Sequence, residues 1–492
     1  MARTVAVADQ AIAAYTGTET ASASVEIRRE LDQPVRVAIA GKVKVGKSTL
    51  LNALVGEELA PTDASECTRI VTWYRGSKIC QVTAVPIDGQ PHPVAFSRER
   101  ALDVDLSDEN TDSLRWLVVD WPSERLRSMT LVDTPGIASL STDLSRRAAS
   151  FLGASSDEPA SVDAVIYLMR HMHAADVRLL ESFHDHDLAQ PNPVNCLAVL
   201  SRADEIGVCR LDAMNSAHTI AARYVAQPSI RRLVQDVVPV AGLLAQAAVT
   251  LREEDFRSLR TLVSAGVTAT SPVLGSIQEL AAPHSSIDAV VDAGERRVLV
   301  ERFGLFGVRY AVEWLARSPG ATAGQLAAAL AEVSGLTHLR QTVVQQISAR
   351  SGLLKARSAM SSLARLAHLH PVDGLAESLE ALVAGSHELA ELRMLYALRL
   401  GTVPLQDEQL AEAAALLGRS GQAPAARIGL PADTDPNEIR RQLLVALDTW
   451  QRRAESPLSK QAVIDASRVI IRTYEGMLAD LSTLPAPQTA TG

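Results

Sequence analysis

Residues 35–48 read Val35-Arg-Val-Ala-Ile-Ala40 and then Gly41-Lys-Val-Lys-Val-Gly-Lys-Ser48, an apolar run followed by the pattern G-x-x-x-x-G-K-[ST]. A strand, a Gly-rich turn and a helix opening on Leu50-Leu51-Asn52-Ala53-Leu54 give the setting in which backbone N–H groups cradle phosphates. There Lys47 supplies charge and the Ser48 hydroxyl ligates Mg²⁺, while Gly41, Lys42, Val43, Lys44, Val45, Gly46 and Thr49 complete the wrap. The stretch predicts an α/β domain that binds a nucleoside triphosphate.

Working outward, 492 residues with 47% apolar content exceed a single hydrophobic core, so two or more domains are expected. No run approaches 18 apolar residues, and the N-terminus lacks a basic region followed by an apolar stretch. A cytosolic chain is expected. Cys67, Cys80, Cys196 and Cys209 suit no zinc knuckle and read as reduced, buried small hydrophobes. A net charge of −9 excludes a general nucleic-acid binder. Lys occurs only at 42, 44, 47, 78, 355 and 460, and half of those positions fall in the phosphate loop.

Residues 5–31 carry helical periodicity interrupted near Thr16–Ser24, and Pro34 ends the segment. Near-continuous apolar strands then recur at 35–40, 129–132, 164–169, 196–200 and 237–241, which indicates a mostly parallel sheet covered by helices on both faces. After about residue 270 Ala, Leu, Arg and Glu take over at helical period. Helices are expected at 336–370, 375–400, 406–417 and 437–481, the last broken near Pro457. A 35-residue helix reaches roughly 50 Å, so an elongated bundle is expected. The expected division is an N-terminal helix over 1–32, a nucleotide domain over 33–265, connecting helices over 266–335, a bundle over 336–484 and a flexible tail over 485–492.

Three later segments decide the base and the metal. Asp133-Thr134-Pro135-Gly136 closes a strand, where a carboxylate holds Mg²⁺ through water and the Gly136 N–H reaches a γ-phosphate. Ser201-Arg202-Ala203-Asp204 ends a later strand, where Asp204 accepts from guanine N1 and N2, a donor pair that adenine lacks. Arg202 covers the base. Ser201 keeps a hydroxyl where Asn or Thr is usual, and Ala241-Gly242 fits a weaker final base contact. Thr68 is the expected switch threonine on Mg²⁺, with Thr62 and Thr72 behind it.

These residues resemble the dynamin-like large GTPases, the bacterial branch in particular, through the phosphate loop and its Ser48-Thr49-Leu50-Leu51-Asn52-Ala53-Leu54 continuation, Thr68-Arg69, Asp133-Thr134-Pro135-Gly136 and Arg202-Ala203-Asp204. The resemblance covers about 33–245 by motif and the rest by layout. It implies Mg²⁺-dependent GTP hydrolysis coupled to fission or fusion of the cell membrane from its cytoplasmic face, with helices before and after the GTPase domain packed into one neck. It implies contact with anionic phospholipid, and with a second copy through the GTPase domains or with a paralogous dynamin-like protein. Two departures stand out. Val43 and Lys44 occupy the places where dynamins hold Gln-Ser or similar, so the Lys44 ammonium is expected to replace a monovalent cation or an arginine finger in catalysis. Ile137 stands where small GTPases place a water-orienting Gln, and intrinsic turnover should be slow.

Between Val333 and Val372 there is no Asp or Glu, but Arg340, Arg350, Lys355, Arg357 and Arg365 are present. Such a stretch suits anionic lipid, and Leu353, Leu354, Lys355 and Arg357 are the expected membrane contact, with Gly352 breaking the helix. Arg419, Arg427, Ile428 and Leu430 are a second candidate. The His171, His173, His184 and His186 group reads as solvated helix ends rather than a zinc site. A ribosome-assembly GTPase would need a basic appendage, yet 321–492 holds sixteen Lys and Arg against seventeen Asp and Glu, a net of −1. A GTP-gated scaffold without membrane activity is the other alternative.

Overall fold

A computed structural model of the chain describes residues 1–62, 70–98, 101–107, 109–135, 162–182, 195–283, 287–288, 290–419 and 421–483. Its strands are β1 (Val35–Gly41), β2 (Thr72–Gly76), β3 (Gln81–Pro86), β4 (His92–Pro93), β5 (Phe96–Arg98), β6 (Leu102–Val104), β7 (Leu114–Trp121), β8 (Met129–Asp133), β9 (Ala164–Met169), β10 (Cys196–Ser201) and β11 (Val237–Val240). Nine of them form one sheet in the order β11-β10-β9-β1-β8-β2-β7-β3-β4, and β5 pairs with β6 apart from it. The five strands from β11 to β8 run parallel. β2 is antiparallel to β8 and parallel to β7, and β3 closes antiparallel to β7 and β4.

All five strands read from the sequence are present. Their continuous apolar character has the expected cause, because successive residues of β1 feed two different cores. Ala38 and Ala40 join Val165, Tyr167 and Leu200 on one face, while Val37 and Ile39 join Ile166, Leu168 and Val199 on the other. The sheet is mixed, mostly parallel, and lined by helices on both faces.

The first face is covered by helices Gly242–Val249, Glu253–Ser264 and Ala293–Arg317, so residues after 265 build the same core as the strands. Helix Leu336–Gln346 does the same on the second face through Leu336, Leu339 and Val343. The division expected at 335–336 lies inside this packing.

Two helical cores complete the chain. Helices Ala2–Tyr15 and Ala21–Leu31 pack with Ser351–Leu369 and Leu375–Gly385, so N-terminal and later helices make one unit. Tyr15 donates to the His370 carbonyl at 2.7 Å. Helices His387–Leu400, Asp407–Leu416, Pro436–Glu455 and Gln461–Thr483 form the other around the fully buried Trp450, whose indole N–H donates to Glu412 at 2.9 Å.

Three expectations are corrected. The helix expected over 336–370 is two helices, separated by Ile347 and the 3₁₀ turn Ser348–Arg350. The 375–400 helix is likewise divided at Ser386, which caps the second half by accepting from the Leu389 N–H. Among the described cysteines only Cys196 is buried; Cys80 is exposed and Cys209 half-buried. No described helix is long and apolar enough to cross a membrane. Cys67 and the tail 485–492 lie outside the described residues.

Candidate nucleotide site

β1 delivers the chain to the phosphate loop at Gly41, where φ is +147° and an added Cβ would lie 2.5 Å from the Leu168 carbonyl oxygen. Only glycine fits so close to β9. Gly46, at φ +100°, caps helix Lys47–Val55 and leaves its first N–H groups aimed into the loop. Lys47 folds back over the loop and donates to the Gly41 and Lys42 carbonyls at 3.4 and 3.3 Å. Burial pushes its ammonium below the ordinary range, against the pull of Asp133.

The Ser48 hydroxyl donates to Asp133 Oδ2 at 2.9 Å. Asp133 Oδ1 is buried with no hydrogen-bond partner. Burial raises this carboxyl, opposed by Lys47 and by the Ser48 bond. A hydroxyl and a carboxylate sharing one spot, with one carboxylate oxygen unsatisfied, are the donor set of a hard, oxygen-seeking cation. Ser48 and Asp133 therefore fit Mg²⁺.

The lysines of the loop divide their work. Lys42 pairs with Asp176 at 3.1 Å, a carboxylate that also accepts from Tyr167 Oη at 2.6 Å and from the His173 N–H at 2.9 Å. That bond fixes the loop to the segment after β9. Val43 and Lys44 are exposed, and Val45 is buried beneath them. Lys44 adopts φ +60°, a conformation costly for a residue with a Cβ, and its carbonyl accepts from Arg202 Nη2 at 3.1 Å.

That bond joins the phosphate loop to the base motif. Arg202 itself sits at φ +52° and holds Glu205 at 2.9 Å. Ser201 donates to the Met169 carbonyl at 3.1 Å, so its hydroxyl braces β10 against β9 rather than facing outward. Asp204 is buried, and desolvation pushes its carboxyl up to about 6. Ala241 is fixed by donating to the Ser334 carbonyl, and an added Cβ on Gly242 would touch the Thr49 methyl at 3.8 Å. Lys47, Ser48, Asp133, Arg202 and Asp204 thus line one end of the parallel strands, the usual ligand end of such sheets.

Sequence reasoning missed Gly304. It breaks helix Ala293–Arg317 at φ +66°, and an added Cβ would lie 3.6 Å from Asp204 Oδ2 and 3.8 Å from Leu243. The close pair Gly304 and Gly307 inside an otherwise helical run was the signal. Thr68, Gly136 and Ile137 lie outside the described residues. Of the runners-up, Thr62 is exposed, whereas Thr72 is buried in β2 and donates to the Ile70 carbonyl. His171 and His173 meet edge to face at 6.3 Å, His184 and His186 lie outside the described residues, and no metal cluster occurs among those described.

The expected membrane contact is overturned. Leu354, Lys355 and Arg357 are buried and Leu353 is half-buried between the sheet core and the N-terminal helices. Gly352 sits inside helix Ser351–Leu369 and breaks nothing. The second candidate is packed as well: Arg427 pairs with Glu391 at 2.7 Å, and Ile428 and Leu430 lie against the Trp450 core. Only Arg419 of that group is exposed.

Residues 37–190 match the sequence model of the dynamin family. The chain is similar to the isoniazid-induced protein IniC of Mycobacterium tuberculosis, strains CDC 1551 / Oshkosh and ATCC 25618 / H37Rv, at 40% identity over 460 residues, covering 93% of this chain and 92% of that protein. It is similar over 122 residues, 22% of its length and 18% of the relative's, to a bacterial dynamin-like protein of Nostoc punctiforme, at 33% identity. A solved chain from an oligomerised bacterial dynamin pair superposes at a TM-score of 0.31 and 12% identity over 97% of this chain and 74% of that one, too slight a likeness to carry argument.

Proposed function

The chain belongs to the dynamin family as a bacterial dynamin-like GTPase, and from that premise we propose that it binds GTP with Mg²⁺, hydrolyses it slowly and couples the cycle to binding and remodelling a membrane. The observation that carries the nucleotide half is the pairing of Ser48 with Asp133 at 2.9 Å, one carboxylate oxygen left unsatisfied, beside a lysine folded over the loop. The loop N–H groups and Lys47 bind the phosphates. Ser48 and Asp133 hold Mg²⁺, whose chemistry is to draw charge off the phosphate oxygens. Buried Asp204 selects guanine, and Arg202 carries base contacts back to the loop through the Lys44 carbonyl. Calorimetry tests this directly: tight GTP binding and weak ATP binding are expected, and the reverse preference would overturn it.

The membrane half rests on the hairpin between helices Pro436–Glu455 and Gln461–Thr483. There Leu458 is 93% exposed, beside exposed Pro457 and Lys460, with exposed Glu455 and the Arg452–Asp448 pair behind them. An exposed leucine at a hairpin tip, with Lys460 beside it, suits insertion into a lipid surface, where an unpaired basic residue adds about 1 kcal/mol. This hairpin takes the place of the buried 353–357 segment as the proposed contact. Placement on the inner face of the cell membrane, and pairing through the GTPase domains with a second copy or a paralogue, belong to the same reading. Leu458→Asp should abolish co-sedimentation with phosphatidylglycerol vesicles while basal GTP hydrolysis stays unchanged. A wild-type chain that ignores such vesicles with GTP bound would leave a GTP-gated scaffold instead.

A further inference from the structure

A cavity of about 670 Å³ opens where the nucleotide domain meets the later helices, in the size range of small-molecule sites. It is walled by helix Ala213–Ala226 and the turn after it on one side, and by helices Leu336–Gln346, His387–Leu400 and Asp407–Leu416 on the other. It shares no residue with the phosphate loop or the base motif.

Its charge is unbalanced. Arg231, Arg350, Arg399 and Arg419 line it, against Asp236 and Asp407. None of the four forms an ion pair among the described residues, although neighbouring Arg427 is paired with Glu391. Arg350 and Arg399 donate instead to main-chain carbonyls, of Gly418 at 2.6 Å and of Val234 at 2.8 Å. Arg231 Nε is buried with no hydrogen-bond partner. Burial first, and then the charges of Arg419 and Arg231, press the Arg399 guanidinium down to about 10 against the pull of Asp236. Clustered, partly desolvated guanidinium groups that outnumber the carboxylates near them and pair with none are costly unless an anion joins them, and their planar forks match phosphate oxygens in pairs. Val225, Leu395 and Leu405 give the wall an apolar part, set among the polar Gln235, His338, Thr342 and Gln345.

We propose that this cavity is a second ligand site, separate from the GTP site, for a molecule that joins a phosphate to an apolar group, either a soluble phosphate ester or a phospholipid headgroup with the start of its chains. The arginines from both sides converge on the phosphate, and the leucine wall takes the apolar part. Occupancy ties the nucleotide domain to the helices that frame the cavity.

The test is calorimetry on the full chain with hexyl phosphate and with inorganic phosphate, and co-sedimentation with vesicles of phosphatidylcholine alone or mixed with phosphatidylglycerol. Hexyl phosphate should bind one to one and more tightly than inorganic phosphate. Arg231→Gln and Arg399→Gln should each weaken it roughly tenfold or more. Ala222→Trp, at an exposed position on the rim, should block it without removing a charge. Lys47→Ala should leave it intact, which separates this site from the nucleotide reading. Capture of the mixed vesicles that these cavity variants abolish, with Leu458 intact, assigns a lipid source; binding of hexyl phosphate alone assigns a soluble one. No binding of either phosphate or of mixed vesicles, binding indifferent to all three cavity variants in folded protein, or binding lost with Lys47→Ala would overturn the proposal.

Discussion

Lys44 is the loop residue whose backbone and side chain are set apart. Its main chain is held at φ +60° with its carbonyl bonded to Arg202, while its side chain is exposed. A fixed backbone under an exposed ammonium is suited to meet charge that develops during reaction rather than charge already present in bound GTP. Lys44→Ala should lower single-turnover hydrolysis about ten- to a hundredfold and leave the GTP dissociation constant within about twofold. Equal loss in both would make Lys44 a binding residue only. Asp204 gives a pH signature. Its carboxyl is pushed up to about 6 by burial, aided by Glu205 and opposed by Arg202 and Arg170. The folded chain therefore holds this proton more tightly than the unfolded one, so Asp204 favours the fold most below the ordinary carboxylate range and less as pH rises through about 6. Guanine needs the ionised form. GTP affinity should therefore rise with pH through about 6, and Asp204→Asn should flatten that dependence and exchange guanine for xanthine, whose C2 carbonyl an amide N–H can meet. Calorimetry at several pH values with both nucleotides reads the two effects.

Among the elements, helix Leu336–Gln346 shows best how the post-domain chain serves the site. Its cap, Gly335, lies at φ +79°, and an added Cβ would stand 2.2 Å from the Pro239 carbonyl oxygen. Next to it the Ser334 carbonyl accepts from Ala241 at the start of the final base-contact turn. Gly335→Ala should cost about 2 kcal/mol or more, combining a left-handed conformation with a backbone clash, and should lower Tm and weaken GTP binding together. An unchanged Tm would show that β11 gives way freely. The parallel strands were legible because both their faces are buried, so the apolar run is continuous. β2, β3 and β7 were not, because they lie toward the sheet edge and carry Arg75, Gln81, Arg115 and Asp120 on half-exposed faces. The break within 336–370, expected at Gly352, falls at Ile347 and the turn Ser348–Arg350. No Gly or Pro lies within the turn itself, where Arg350 points inward to bond the Leu417 and Gly418 carbonyls. The phosphate loop, Asp133, Arg202 and Asp204 could be read because local spacing sets their places, whereas Gly304 meets Asp204 only after a hundred residues of folding. Lys355 misled for the same reason, since the carboxylates that account for its burial, Asp163 and Glu30, are remote in sequence.

Those carboxylates belong to a charge cluster that joins the halves of the whole molecule. Arg36, at the foot of β1, is buried and bonds Asp163 through its N–H at 2.8 Å and through Nη2 at 3.1 Å. It also pairs with Glu30 of helix Ala21–Leu31, which brings the N-terminal helices to the sheet. Lys355 of the neck lies in the same field, its ammonium lowered first by burial and then by Arg36. The phosphate loop stands at the other end of β1, roughly 20 Å away at strand rise, so one rigid strand spans the distance between neck and nucleotide. Burial raises the Asp163 carboxyl, but Arg36 outweighs that and, with Lys355, holds it below its ordinary range. Its stabilisation is therefore complete above that range and fades as pH falls through the lowered value. Asp163→Asn would leave the Arg36 guanidinium buried with only half-exposed Glu30 for charge balance, at a cost of about 3–5 kcal/mol. Breaking the surface pair Arg28–Asp32 should leave stability almost unchanged, because solvent screens it. Urea titrations of the two variants measure the contrast. If the cluster holds neck and sheet together, Asp163→Asn should also admit protease between residues 31 and 36 before the rest of the chain unfolds, and a variant that resists cleavage there with near-normal stability would show that packing alone joins them.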